Sequence, residues 1–301
     1  MRKSSIRIAL ASAGILLCLS QDLRAQGWDA ASQARSWAKQ DKDDSFTFHD
    51  AGARMLHTWM RDGGVMGSLS TAKVDGTPTR WAMDPRNNAW VAHGNILSQV
   101  DRTGKVVINV KLPAEVGDLC WDTKGIVLSY RSPEPYLEKR DFKGALLWSF
   151  GVKPSRDEDA PAPQNRRPVI MDDAGKVIMA DGSSLNLSIL EGESGRKVME
   201  TSFRLPGGQP VPTLEGRVLD RGPVVLWFGR GVAFAAVNAA QIPAAHRESL
   251  QGLVLARLDL GQSRLEFLPT GLDEQHLLVG LQEGEAIFVS PKGGLVLVKV
   301  R

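Results

Sequence analysis

The sequence predicts an all-β protein, a β-propeller of five blades with room for a sixth. Three observations carry this. From about residue 53 onward, apolar runs of five to seven residues alternate with turns rich in Gly, Asp, Asn and Pro, the spacing of sandwiches, barrels and propellers. The runs pair into two kinds of hairpin. The two kinds alternate along the chain, so the repeating unit has four strands.

The first kind reads apolar run, Asp, a short polar turn, Gly or Asn, apolar run. It occurs at Trp81–Ala92 around Asp84, at Leu119–Ser129 around Asp122 and Gly125, and at Val169–Met179 around Asp172 and Gly175. A degenerate copy spans Val224–Phe234, and a fifth spans 286–300. The second kind has a more polar first strand. It occurs around Asp101 and Gly104, Asp141 and Gly144, Gly195, and Asp259 and Gly261, with a further copy at Met55–Ser68 around Gly64. Glycine or asparagine suits such tight turns because they require positive φ. A single four-stranded unit cannot bury both faces, so each must lean on its neighbours.

Closure follows from the ends. The chain finishes on a first-kind hairpin, 286–300, and begins on a second-kind hairpin, 55–70. Pairing the two would complete one blade and remove an exposed sheet edge. The turn glycines at 64, 104, 144, 195 and 261 are 40, 40, 51 and 66 residues apart. The later units therefore carry extra residues, and the apolar runs Arg217-Val-Leu and His276-Leu-Leu-Val could belong to a sixth blade.

Residues 1–25 lie outside this pattern. Arg2, Lys3 and Arg7 precede a short apolar stretch, Ile8 to Leu19, and Ala25 stands before Gln26. That is the layout of a secretory signal peptide, too short to span a bilayer. The expected organisation is signal peptide 1–25, polar lead-in 26–52 and propeller 53–301, in a periplasmic or secreted protein. The segment holds four basic residues and one acidic residue, so its removal takes the net charge from +3 to zero. A nucleic-acid partner loses its electrostatic support with it. No later stretch is apolar enough to be transmembrane. Cys120 alone remains of the 2 cysteines, so no internal disulfide can form and the core must carry the fold. Between Leu119 and Trp121, that thiol reads as buried and inert.

The Asp-x-x-Gly units resemble those of NHL and gluconolactonase-like propellers. Asp101-Arg-Thr-Gly104-Lys and Asp141-Phe-Lys-Gly144-Ala-Leu-Leu-Trp148 also resemble the outer strands of PQQ-type quinoprotein repeats. The resemblance covers roughly 55–301 and is one of fold. The quinoprotein tryptophan stands in one unit only, Trp148, which argues against true quinoprotein packing.

Function narrows to the mouth of a central channel. Arg80, Asp118, Arg167, Arg221 and Glu285 precede or open first-kind strands, and Asn95 and Asp181 lie where second strands end. Together with the Pro-rich segment 153–167 they are assigned to one face. Gluconolactonase-type enzymes, by resemblance, gather Glu, Asn and Asp on a divalent cation. Asn95, Asp118, Asp181 and Glu285 could supply such groups, and Asp118 with Glu285 could serve a glycosidase. The arginines among them could instead pair with the carboxylates and leave them inert. The five histidines lack zinc-ligand spacing, and the paired glycines lack the Lys-Ser/Thr of a phosphate loop. Strand tryptophans read as packing residues, and Asp84, Asp122 and Asp172 read as caps of their own turns. The expected role is a binding or interaction module for a protein or small ligand on the channel face, with no cofactor assigned. A propeller hydrolase is the alternative, and a quinone-binding redox module a third.

Overall fold

In the computed structural model the described residues are 39–40, 46–50, 54–62, 65–76, 78–154, 167–172, 174–181, 185–205, 207–209, 211, 225–227, 232–244, 247, 250–282, 284–290 and 295–300. Their strands form six antiparallel sheets in chain order. Sheet 1 holds β1 (Lys39–Gln40), β2 (Phe46–Asp50), β3 (Met55–Asp62) and β4 (Val65–Lys73). Sheet 2 holds β5 (Arg80–Met83), β6 (Ala89–His93), β7 (Ile96–Val100) and β8 (Val106–Lys111). Sheet 3 holds β9 (Val116–Trp121), β10 (Gly125–Tyr130), β11 (Tyr136–Asp141) and β12 (Leu146–Gly151). Sheet 4 holds β13 (Val169–Met171), β14 (Lys176–Asp181), β15 (Asn186–Glu191) and β16 (Lys197–Ser202). Sheet 5 holds β17 (Val225–Trp227), β18 (Val232–Asn238), β19 (Leu253–Asp259) and β20 (Arg264–Leu272). Sheet 6 holds β21 (Leu277–Gln282), β22 (Glu285–Val289) and β23 (Leu295–Lys299).

Within each sheet every strand pairs with the next in sequence, and the first strands of sheets 2 to 6 lie side by side: β5 by β9, β9 by β13, β13 by β17, and β17 by β21. This is a β-propeller. The burial gradient follows from it. β9 and β10 are buried at every residue, whereas β8 at the rim alternates between exposed and half-buried.

The blade count and the terminal pairing depart from the simplest sequence reading. The hairpin at 55–73 lies in sheet 1, paired through β3 with β2, and residues 285–299 lie in sheet 6, paired through β22 with β21. The two terminal hairpins are therefore not halves of one blade. The reason is local sequence supply: the run after His276 provides β21, and the segment expected to be a polar lead-in provides β1 and β2. Sheet 1 takes all four of its strands from residues 39–73, and sheet 6 has three strands among the described residues, all from 277–299. β1 lies beside β21.

Cores form between sheets, as units that cannot bury their own faces require. Leu56, Ala72 and Val74 of sheet 1 and the chain just after it join Trp81, Met83 and Val91 of sheet 2. Trp90, Ala92 and Leu97 join Leu119, Ile126 and Tyr130 across sheets 2 and 3. Cys120, Val127 and Trp148 join Val169, Val177 and Leu190 across sheets 3 and 4. Further clusters link sheets 4 and 5, and sheets 5 and 6. Trp81, Trp90, Trp121 and Trp148 are all buried in these clusters, as is Cys120.

The recurrent turn glycines have a second role. Gly195 has φ +68°, and a Cβ there would lie 2.6 Å from the Trp148 ring of the preceding sheet. Trp148 Nε1 also donates to Gly192 O at 3.0 Å. Gly144 meets Val110 and Ile108 of sheet 2 in the same way, and Gly104 meets Lys73 at the end of sheet 1. One boundary thus has an indole where the others have aliphatic chains. Gly195→Ala should cost about 2–4 kcal/mol, combining the left-handed backbone with overpacking. Gly175, with φ +76° and nothing within 4 Å of its Cβ position, should lose only the backbone part, about 1–2 kcal/mol. Urea denaturation of both variants checks the difference, and equal losses would refute the contact's importance.

Candidate functional site

The first strand of each sheet begins on what we term the front face, where the connections between sheets and the turns from second to third strand also lie. Arg80, Asp118 and Arg167 all sit toward that face: Arg80 opens β5, Asp118 is the third residue of β9, and Arg167 lies two residues before β13. They are buried, at 3%, 4% and 1% exposure. A charge is tolerated at that depth only when hydrogen-bonded, and here each of the three has a partner in a neighbouring sheet or its loops. Arg80 Nε donates to Gly117 O, and Nη1 donates to Thr79 O. Asp118 Oδ2 accepts from Val169 N at 2.9 Å. Arg167 Nη1 and Nη2 donate to Ser132 O at 2.6 Å and Pro133 O at 2.9 Å, while Ser129 Oγ donates to Arg167 O at 2.5 Å. These groups suture sheets 2, 3 and 4 at their front ends and hold the loop 131–135 in place.

The other expected residues divide. Asn95 lies half-buried in the turn from β6 to β7, on the same face. Asp181 ends β14, also on the front. Glu285 opens β22, facing Gln282 across the turn from the first strand to the second. It therefore lies on the rear face and cannot share a site with Asp118. The sequence reading took β22 for a first strand; the run Leu277–Gln282 inside it reverses the polarity of that hairpin. Arg221 and most of the segment 153–167 lie outside the described residues. Among the described residues, no group of three His, Cys, Asp or Glu side chains is placed to hold a metal ion.

The rear turn aspartates are caps. Asp84 Oδ1 accepts from Arg86 N and Asn88 N, and its Oδ2 from Trp90 Nε1 at 3.1 Å and Gln99 Nε2 at 3.2 Å. Asp122 Oδ1 accepts from Lys124 N and Gly125 N, and Oδ2 from Lys139 Nζ at 2.6 Å. Asp172 accepts from Lys176 N. Lys139 is 1% exposed and reaches on to Gly192 O at 2.7 Å, tying sheet 3 to sheet 4 from the rear.

Two polar groups escaped the sequence reading. In sheet 3, Glu138 accepts from Tyr130 Oη at 2.8 Å, Tyr136 Oη at 3.0 Å and Arg140 Nη2 at 2.6 Å. Burial, with the Glu138 carboxylate beside them, raises both phenols above their ordinary range, so they stay donors. All four sit at the packed boundary with sheet 2, and the set is structural. The second group is on the front face between sheets 5 and 6. His276 Nδ1 lies 2.8 Å from Asp273 Oδ1, and Asn238 Nδ2 donates to Glu274 Oε2 at 2.5 Å. The spacing Asp273-x-x-His276 was available in the sequence, but only the fold shows that Asn238 joins it.

No protein-family model matches the sequence, and no curated protein matches it. Solved structures do. A catalytically inactive virginiamycin B lyase from Staphylococcus aureus with quinupristin has a TM-score of 0.53 at 10% identity, covering 89% of this chain and 81% of its own. A streptogramin B lyase gives 0.52 at 8% identity, with 90% and 84% covered. A protein of unknown function from Bacteroides caccae gives 0.51 at 12% identity, with 83% and 87% covered. At such identities the likeness is one of fold.

Proposed function

We propose that this propeller is an exported binding module that holds a protein or small ligand on its front face. The observation that carries this reading is the use of Arg80, Asp118 and Arg167 as bonds between sheets. Buried and directed at backbone groups, they make a rigid frame and leave recognition to the loops they position. His93 and Asn95, both half-buried in the adjacent front turn that Leu112 N and Val116 N hold through Asn95 O and Gly94 O, and the neighbouring Arg131 and Glu115, paired at 3.5 Å, are the residues we assign to the ligand, with Asp181 at the front end of β14. Preformed pockets with few convergent polar groups bind by this logic. Export rests on residues 1–25, which lie outside the described residues; among the described residues no helix is long and apolar enough to cross a membrane.

The test is a thermal-shift screen of the whole chain against sugars, sugar acids, nucleotides and short peptides, followed by titration of each hit. His93→Ala and Asn95→Ala should weaken binding more than about tenfold while leaving the melting temperature within about 2 °C. A ligand bound equally well by both variants would overturn the assignment. Asp118→Asn is a poor probe, because it also disturbs the bond to Val169 N.

A hydrolase is the second reading, and one observation favours it: the imidazole of His276 oriented by Asp273, the arrangement a general base needs. It no longer involves Asp118 with Glu285. His276→Asn should abolish turnover of chromogenic lactones or glycosides if such turnover exists.

A further inference from the structure

The outer edges of the six sheets are not alike. Sheets 1 to 5 each hold four strands, and the outermost pair of every one breaks register. The extra residue is Leu69 in sheet 1, Val107 in sheet 2, Leu147 in sheet 3 and Val198 in sheet 4. In sheet 5 the outer strand also carries Pro269. Bulges and prolines of this kind spoil an edge for strand addition. Sheet 6 differs. It has three strands among the described residues, and its last pair keeps one register from Glu285 opposite Lys299 to Val289 opposite Leu295. The edge strand reads Leu295-Val-Leu-Val-Lys299, with its one charge at the end.

The ladder fixes which backbone groups of β23 point outward. Val300 N donates to Gly284 O at 2.9 Å. Bonded pairs alternate along an antiparallel ladder, so Val298 and Val296 also turn their backbone groups to β22. Leu295, Leu297 and Lys299 turn their N–H and C=O groups away from it, along the open edge. The side chains of Val296 and Val298 pack against the core between sheets 5 and 6, Leu297 is half-buried, and Lys299 is exposed. Outer strands elsewhere extend such cores with two apolar residues two apart: Ile108 and Val110, Trp148 and Phe150, Leu265 and Phe267. A strand added to β23 would do the same from the positions opposite Val296 and Val298.

We propose that β23 is a docking edge for an extended segment of a partner protein, which adds antiparallel as a fourth strand. It carries apolar residues opposite Val296 and Val298 and an acidic residue opposite Lys299. Main-chain bonds to Leu295, Leu297 and Lys299 supply affinity, and the alternate side chains supply selectivity. Two other occupants fit less well. Residues 26–38 precede β1, which lies beside β21. Apart from Trp28 and Trp37, however, they hold no β-branched or aromatic residue, the types that strands favour. A second copy, edge to edge, would bring a strand of 5 residues from each side, against about 20–30 residues a side in a stable interface. An extended segment needs no such area, because its backbone is the binding group. The edge is separate from the front-face residues His93 and Asn95, so His93→Ala should leave this binding unchanged.

Fluorescence anisotropy of the full chain with a fluorescein-labelled peptide, Glu-Val-Thr-Val-Thr, tests this. The peptide should bind saturably. N-methylation of its central Thr removes the donor to Leu297 O and should weaken binding at least about tenfold. N-methylation of its first Val, whose N–H faces away from β23, should change it less than about threefold. Leu297→Pro removes an outward N–H without touching the bonds to β22, and should also weaken binding at least about tenfold. Hydrogen exchange at the Leu297 amide separates the occupants. It should be fast in the chain alone and slow at least about tenfold with peptide. Slow exchange without peptide would mean a strand from this chain if independent of protein concentration, and a second copy if it deepens with concentration. Either result would overturn the proposal, as would absent binding or equal binding of the two methylated peptides.

Discussion

Deleting residues 277–301 should abolish cooperative folding. The last sheet supplies Leu278, Leu281, Ala286 and Phe288 to the cluster that covers Phe234, Ala236, Leu253 and Leu255 of sheet 5. Each large apolar side chain returned to water costs about 1.5–3 kcal/mol. Three such residues on sheet 5 alone then lose about 5–9 kcal/mol, comparable with the whole stability of an ordinary domain, about 5–15 kcal/mol. β1 would also lose its neighbour β21. Circular dichroism and a thermal melt of the truncated chain decide the matter. A sharp transition near that of the full-length protein would show that five sheets stand without the sixth.

The second large effect concerns Asp122 and Lys139. Their 2.6 Å ion pair is buried on the lysine side to 1% exposure and on the aspartate side to 12%. Asp122→Asn keeps an oxygen for the amides of Lys124 and Gly125 but leaves the ammonium without its counter-charge, with Gly192 O as its remaining acceptor. Breaking a buried pair by removing one member costs about 3–5 kcal/mol. Replacing both, as Asp122→Asn with Lys139→Met, should recover much of that loss, because no charge is then stranded. Urea denaturation of the two singles and the double gives the coupling directly. A single-variant loss below about 1 kcal/mol would mean that water reaches the pair. By contrast, the exposed pair Lys124–Glu193 on the same rear face should be nearly silent.

Much of this molecule is legible without coordinates because its elements are local. A hairpin with Asp before Gly declares its own turn, and the side chains of Asp84, Asp122 and Asp172 do cap those turns. The alternation of two hairpin kinds correctly gives the four-stranded sheets 2 to 5. Uninterrupted apolar runs such as Leu119-Cys-Trp correctly mark inner strands buried on both faces. Pattern of this kind follows from secondary-structure period and turn chemistry, which act over a few residues.

What the sequence could not determine is whatever depends on which strand lies beside which. Glu285 reads as the start of a first strand until β21 is seen inside it, and its face of the molecule changes with that one pairing. The charges of Arg80, Asp118 and Arg167 read as the mouth of a channel, but the structure buries them against backbone groups as far as 51 residues away in sequence. The bulges at Val107, Leu147 and Val198 are invisible in a one-dimensional pattern, since an extra residue is defined only by its partner strand. Local propensity therefore determined the repeat, the strands and the turns of this protein. Tertiary pairing alone decided the blade number, the face on which each charge falls, and the direction in which the outer side chains point, because each of these is a relation between residues that only folding brings together.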